Sequence, residues 1–309
     1  MKKLRQEFAD TMLDVGQIDD RLVVMVGDIS HGVLQPFAMA CKGRYYNIGI
    51  CEPSIVNMAA GVAKTGLIPV VHTIAPFIIE RAYEQIKLDF GYQKLGINLI
   101  SVGSAFDYSQ LGCSHHCYSD LSLMSHFKEA QVFHPASPVE FRELFLQSYT
   151  NGKINYFRLT EFPHEVLFDK KEIQVGRAIV VRPGTDFTFV VIGAQLKNAM
   201  IAAQELQKEG INIEVIYYPT IQPFDAKSVQ ISVSKTKKVL VIEEASSHGS
   251  MFDRVVRATL DIQNVDYSHL AIDDFVHTYG SYQDLCKEVG LTSENIIEKV
   301  HSRCCAYGY

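Results

Sequence analysis

Three short segments hold residues whose types and spacing could do chemistry. The first is Asn47-Ile48-Gly49-Ile50-Cys51-Glu52-Pro53-Ser54, followed by the small residues Ala59, Ala60, Gly61 and Ala63. Pro53 and Ser54 mark a helix start, so Glu52 lies at its mouth among Ile48, Ile50, Ile55 and Val56. A carboxylate in apolar surroundings tends toward a raised pKa and needs a hydrogen-bond partner. By itself, such an acid is more simply read as a helix cap. The second segment is Thr73-Ile74-Ala75-Pro76-Phe77, continuing into Arg81-Ala82-Tyr83-Glu84-Gln85-Ile86. Phe77 falls between a strand end and a helix, where its face could stack on a flat heterocycle, although a lone Phe is usually core. The third is Gln110-Leu111-Gly112-Cys113-Ser114-His115-His116-Cys117. Two His and two Cys invite zinc, but adjacent histidines diverge and no complementary Cys pair accompanies them, so a loop presenting a histidine to a ligand fits better.

These residues must be carried by an alternation of strands and helices. Leu22–Asp28, Ile68–Thr73 and Ile97–Gly103 read as buried parallel strands, with helices over Ile55–Ala63 and Ile78–Phe90 between them. Ligands gather at the carboxyl ends of such strands, which singles out Asp28, Thr73 and the stretch after Val102. A polar, Pro-containing stretch from Thr160 to Glu172 interrupts the rhythm, which restarts at Phe187–Gly193, Ile213–Tyr217 and Lys238–Glu243. The reading is α/β, with two domains, 1–171 and 172–309, each a mostly parallel sheet flanked by helices.

The chain has 309 residues, 47% of them hydrophobic, enough for two cored domains. Its net charge of −6, without any basic stripe, argues against nucleic acid and anionic membrane as partners. The charged start Met1-Lys2-Lys3-Leu4-Arg5 lacks a signal-like apolar run, and no apolar stretch approaches the roughly 20 residues that span a bilayer. Seven cysteines in a chain of this kind are expected as reduced thiols in a cytoplasm.

Taken in order, the three segments resemble the pyrimidine-binding domain of the transketolase family. The matching residues are Gly49-Ile50-Cys51-Glu52, then Phe77 with Arg81–Ile86, then Gly112-Cys113-Ser114-His115. A weaker likeness continues to Glu243-Glu244-Ala245-Ser246-Ser247-His248-Gly249-Ser250 in a transketolase C-terminal domain, where His248 is expected to be structural. The resemblance implies thiamine diphosphate as cofactor, with Glu52 bonding N1′ of its aminopyrimidine and promoting the tautomer that removes the thiazolium C2 proton. It puts Phe77 against the pyrimidine, Asp28 and Ile50 beside the cofactor, and His115 in the substrate channel as a catalytic residue with Glu52.

What is missing is also informative. The diphosphate and Mg²⁺ of this family are held by a domain marked Gly-Asp-Gly, which does not occur here. A separate N-terminal subunit is therefore expected to supply that site in an α₂β₂ assembly, with no metal bound by this chain. Leu111 replaces an Asp that contacts a donor hydroxyl in sugar-phosphate transketolases. Glu161 stands near the position of their phosphate-binding Arg, where a carboxylate would repel a phosphate unless Arg158 takes over. The expected function is transfer of a two-carbon ketol unit between small sugar substrates. The alternatives are the beta subunit of a 2-oxo-acid dehydrogenase and a deoxyxylulose-phosphate-synthase-like enzyme.

Overall fold

The computed structural model describes residues 2–305. The chain opens with α1 (Leu4–Ile18), then β1 (Leu22–Val26), α2 (His31–Ala40), the short β2 (Tyr45–Asn47), α3 (Glu52–Lys64) and β3 (Ile68–Ile74). Next come α4 (Ala75–Ile79), the single turn α5 (Tyr83–Gln85), β4 (Ile97–Val102), α6 (Asp120–Ser125), β5 (Gln131–Phe133), α7 (Pro138–Ser148) and β6 (Ile154–Leu159). The second half holds β7 (Ile179–Arg182), β8 (Phe187–Val191), α8 (Leu196–Lys208), β9 (Ile213–Tyr217) and β10 (Thr220–Gln222). It ends with α9 (Ala226–Thr236), β11 (Lys238–Ser246), α10 (Met251–Thr259), β12 (Asp266–Ile272), α11 (Tyr282–Glu288) and α12 (Ser293–Cys305).

Two sheets result, ordered β10-β5-β6-β4-β3-β1-β2 and β12-β11-β8-β9-β7. Every pairing is parallel except β10 on β5 and β7 on β9. Parallel strands covered on both faces should be apolar throughout, and β1, β4, β6, β8 and β9 are buried at every position. One strand crosses the expected division: β10 lies beyond the linker yet pairs with β5 of the first sheet.

The helix expected over 78–90 is broken. After α4, the backbone N–H groups of Glu80 and Arg81 both return to the Pro76 carbonyl (3.0 and 3.1 Å), and Ala82 leaves helical geometry. A π-helical stretch, Ile86–Tyr92, then completes the element. The break frees Glu80 and Arg81 to turn toward different partners, Ser119 and Glu52. Among the described residues no helix is long and apolar enough to cross a membrane.

Candidate active site

Glu52 is the first residue of α3, with Pro53 following it where a missing N–H costs nothing. The side chain is only 1% exposed. Its Oε2 accepts from Arg81 Nη1 at 2.7 Å, and its Oε1 lies 3.5 Å from Thr73 Oγ1 at the carboxyl end of β3. The partner that a buried carboxylate requires is thus a guanidinium. That guanidinium also lies 4.2 Å from the centre of the Phe77 ring. Phe77 in turn meets His115 edge-to-face, with ring centres 5.1 Å apart. Glu52, Phe77 and His115, far apart in sequence, therefore form one cluster, with Arg81 between the acid and the aromatic ring.

His115 sits on the loop from Gly103 to Ser119 that follows β4. Burial, and then the charge of Arg81, lowers its imidazole below the ordinary value, so it is neutral at neutral pH. Its Nδ1 is 3.0 Å from Ser114 Oγ, and Tyr108 lies 6.0 Å away between ring centres. Gly103, at φ +87°, lets the loop turn, and a Cβ there would come within 2.7 Å of the Tyr108 ring. The other members of the His/Cys group diverge. His116 is buried against Phe106 and Ser109, Cys117 is buried beside Glu80, and Cys113 faces outward. Among the described residues no group of three His, Cys, Asp or Glu is arranged to hold a metal ion.

Asp28 and Ile50 border the same sheet end. Asp28 adopts φ +55° and accepts from His31 Nε2 at 2.9 Å and Asn47 Nδ2 at 3.1 Å. The His31 contact, then Asn47, holds its carboxyl below the usual carboxylate range. Ile50 is exposed, as an apolar residue awaiting cover would be. Beneath them His72 is fully buried in β3, its Nε2 on Ser30 Oγ and its Nδ1 on the Ile100 carbonyl, both at 2.8 Å.

The residues expected at the substrate separate. Leu111 is exposed and lines a cleft of about 500 Å³ with Tyr108, Gln110, Phe162 and Tyr282. Arg158 does not join it. The guanidinium is wholly buried, donating to the carbonyls of Glu244 (2.9 Å) and Cys117 (2.6 Å), with Nε 3.2 Å from Asp120 Oδ2. It ties the two halves of the chain together and cannot reach a substrate in the cleft. The cations beside Glu161 are instead Arg5 Nη2 (2.9 Å) and Lys3 Nζ (3.9 Å), which offset the repulsion expected from its carboxylate. Arg5 also donates to the Tyr108 hydroxyl at 3.0 Å, and with Lys2, Lys3 and Glu161 it lines a second cavity of about 560 Å³. Neither Arg5 nor the bridging role of Arg81 is evident from spacing, because in the sequence both read as ordinary charged residues of a helix.

The site thus gathers a buried acid at a helix start, a guanidinium, an aromatic ring and a histidine. Sequence models of the transketolase pyrimidine-binding domain and the transketolase C-terminal domain match residues 1–161 and 176–296. The chain belongs to the transketolase family. It is 27% identical to the 6-deoxy-6-sulfo-D-fructose transketolase subunit SqwH of Clostridium sp. (strain MSTE9), over 96% of this chain and 93% of that one. It is 32% identical to an apulose-4-phosphate transketolase subunit of Actinobacillus succinogenes, over 75% of each chain. A solved structure titled as a split gene transketolase, an inactive β4 tetramer, superposes with a TM-score of 0.86 at 26% identity, covering 97% of both chains. The transketolase chain described here therefore carries the pyrimidine-binding and C-terminal domains, and it is a component of a transketolase-type enzyme.

Proposed function

We propose that this chain is the C-terminal subunit of a two-subunit, thiamine-diphosphate-dependent transketolase that moves a two-carbon ketol unit from a ketose donor to an aldehyde acceptor. The observation that carries the reading is the position of Arg81. Its flat, hydrogen-bond-donating guanidinium lies between the buried Glu52 carboxylate and the Phe77 ring, a place an aminopyrimidine would fit. Arg81 is 44% exposed, and a bound aminopyrimidine would displace it from Glu52 toward solvent. Glu52 would then hold a proton against the ring nitrogen, and Phe77 would keep the heterocycle stacked and dry. Neutral His115, a donor and acceptor at once, would orient substrate oxygens. When bound, thiamine diphosphate supplies the electron sink for the transferred carbanion.

The diphosphate and Mg²⁺ would be bound by a partner subunit carrying Gly-Asp-Gly, in an α₂β₂ assembly. The alternatives, a 2-oxo-acid dehydrogenase beta subunit or a deoxyxylulose-phosphate-synthase-like enzyme, are less well supported, because relatives matched over most of their length include transketolase subunits, whereas the matched deoxyxylulose-phosphate synthases are covered over less than half of theirs. The decisive experiment reconstitutes the chain with its partner and compares the parent with Glu52→Gln. Turnover should fall at least 100-fold, roughly the worth of an acid–base group, with assembly unchanged. Near-normal turnover of the variant under limiting thiamine diphosphate would sink the proposal.

A further inference from the structure

The loop bearing Leu111 and His115 is held from behind by groups from both halves of the chain. Ser104 Oγ lies 2.9 Å from Asp107 Oδ1 and 3.1 Å from Glu244 Oε1 of β11. Asp107 Oδ1 also accepts from Thr160 Oγ1 at 3.0 Å, and its Oδ2 accepts from the backbone N–H groups of Ser104 (2.8 Å) and Glu161 (2.9 Å). On the other acid, Glu244 Oε2 accepts from the Tyr282 hydroxyl and from Gln195 Nε2 at 3.3 Å.

Counting protons decides the state of this group. A serine hydroxyl has one proton to donate and lone pairs to accept with. With both carboxylates ionised, the single Ser104 proton could bridge only one of its two close oxygen contacts, at 2.9 and 3.1 Å, and two negative charges would face each other across one buried hydroxyl. One added proton resolves the conflict, since Ser104 can then accept from one carboxyl while donating to the other. Asp107 already has donors on both oxygens, whereas among the described residues Glu244 Oε1 has Ser104 alone. The added proton is a property of the pair rather than of either residue.

We propose that Asp107 and Glu244 share one proton through Ser104, and that this proton positions the loop carrying Leu111 and His115 against the C-terminal domain. Its consequence for catalysis rests on the transketolase reading above; the shared proton does not. Burial, and next the Glu244 charge, raises the Asp107 carboxyl to about 6, consistent with proton retention. The other ionisable groups facing the pair are Tyr282 and Cys286 from α11, Arg158 from β6, and Tyr108 and Glu161, both held by Arg5. With a folded pKa raised above its unfolded value, the pair's contribution is complete below the ordinary carboxylate range. It is lost as pH rises through about 6.

The test uses the full chain. Hydrogen exchange of residues 103–119, corrected for intrinsic rates, should quicken roughly tenfold as pH rises through the titration, the effect of losing one buried hydrogen bond. Glu244→Gln, whose amide donates permanently to Ser104, should stay protected across the range. Glu244→Ala should exchange rapidly throughout. The infrared carbonyl band of a protonated carboxylic acid should be present in the parent near pH 6 and absent from Glu244→Gln. If Glu244→Gln loosens with pH as the parent does, or if the band is the same in both, the shared proton is disproved. In the reconstituted enzyme, KM for a ketose donor should rise as pH increases through about 6 in the parent and stay level over that range in Glu244→Gln. Exchange and infrared results are read on the chain alone, so they stand or fall separately from the activity. A reconstituted parent without transketolase activity would overturn only the catalytic reading.

Discussion

Arg158→Met offers a sharp test of the way the two halves are joined. The guanidinium is buried, donates to the Glu244 and Cys117 carbonyls, and lies against Asp120, which also accepts from the Tyr156 hydroxyl at 2.5 Å. Methionine fills most of the volume but leaves the Asp120 carboxylate buried without a cation and two carbonyls without donors. Removing one member of a buried pair costs about 3–5 kcal/mol, and each charged hydrogen bond is worth about 1.5–3 kcal/mol. These contributions overlap, so a net loss of about 4 kcal/mol is expected. At roughly 2–4 °C per kcal/mol, melting should fall by about 10 °C. Urea and thermal unfolding of the full chain measure the loss. Adding Asp120→Asn should recover at least half of it, because the orphaned charge is gone. A loss under about 1 kcal/mol, together with a raised KM for a phosphorylated acceptor, would refute the reasoning and return Arg158 to the substrate.

Arg81→Ala should destabilise the cofactor-free chain by about 1–3 kcal/mol, and by less once thiamine diphosphate and the partner are bound; thermal melts in the two states compare these. Leu111→Asp should raise kcat/KM for ordinary ketose-phosphate donors, and an unchanged donor preference would argue against placing Leu111 at the donor. His72 is held to about 4 by burial, so the folded state binds fewer protons than the unfolded state between about 6.5 and 4. Its contribution is present above the unfolded value and lost as pH falls, amounting to about 3 kcal/mol in full. His72→Gln should flatten that part of a plot of urea midpoint against pH.

Much of the fold could be read from the sequence, because strands buried on both faces appear as continuous β-branched runs such as Leu22–Val26 and Ile97–Val102. The Glu52, Phe77 and His115 cluster was legible for a different reason: the order of three segments restricts the family even though each segment alone is common. Arg158 was misplaced because β6 is buried at every position, so alternation does not reveal which way its side chain points. The bridge from Arg81 to Glu52 depends on a helix break at Glu80–Ala82, set by contacts to Ser119 and Glu52 rather than by local propensity. Asp107 lies in an aperiodic loop, and only the folded chain brings Glu244 to it.

The strand β10 means that the linker is not a place to divide the protein. A fragment ending near residue 171 would retain β5 but lose the strand that covers it, leaving unpaired N–H and carbonyl groups along an apolar edge. Such an edge is a template for another chain, so the isolated first half should self-associate. The complementary fragment would carry Thr220–Gln222 with no sheet to join. The two halves look like separate modules along the sequence, yet they should unfold in one cooperative step, and separately expressed halves should regain solubility only when mixed.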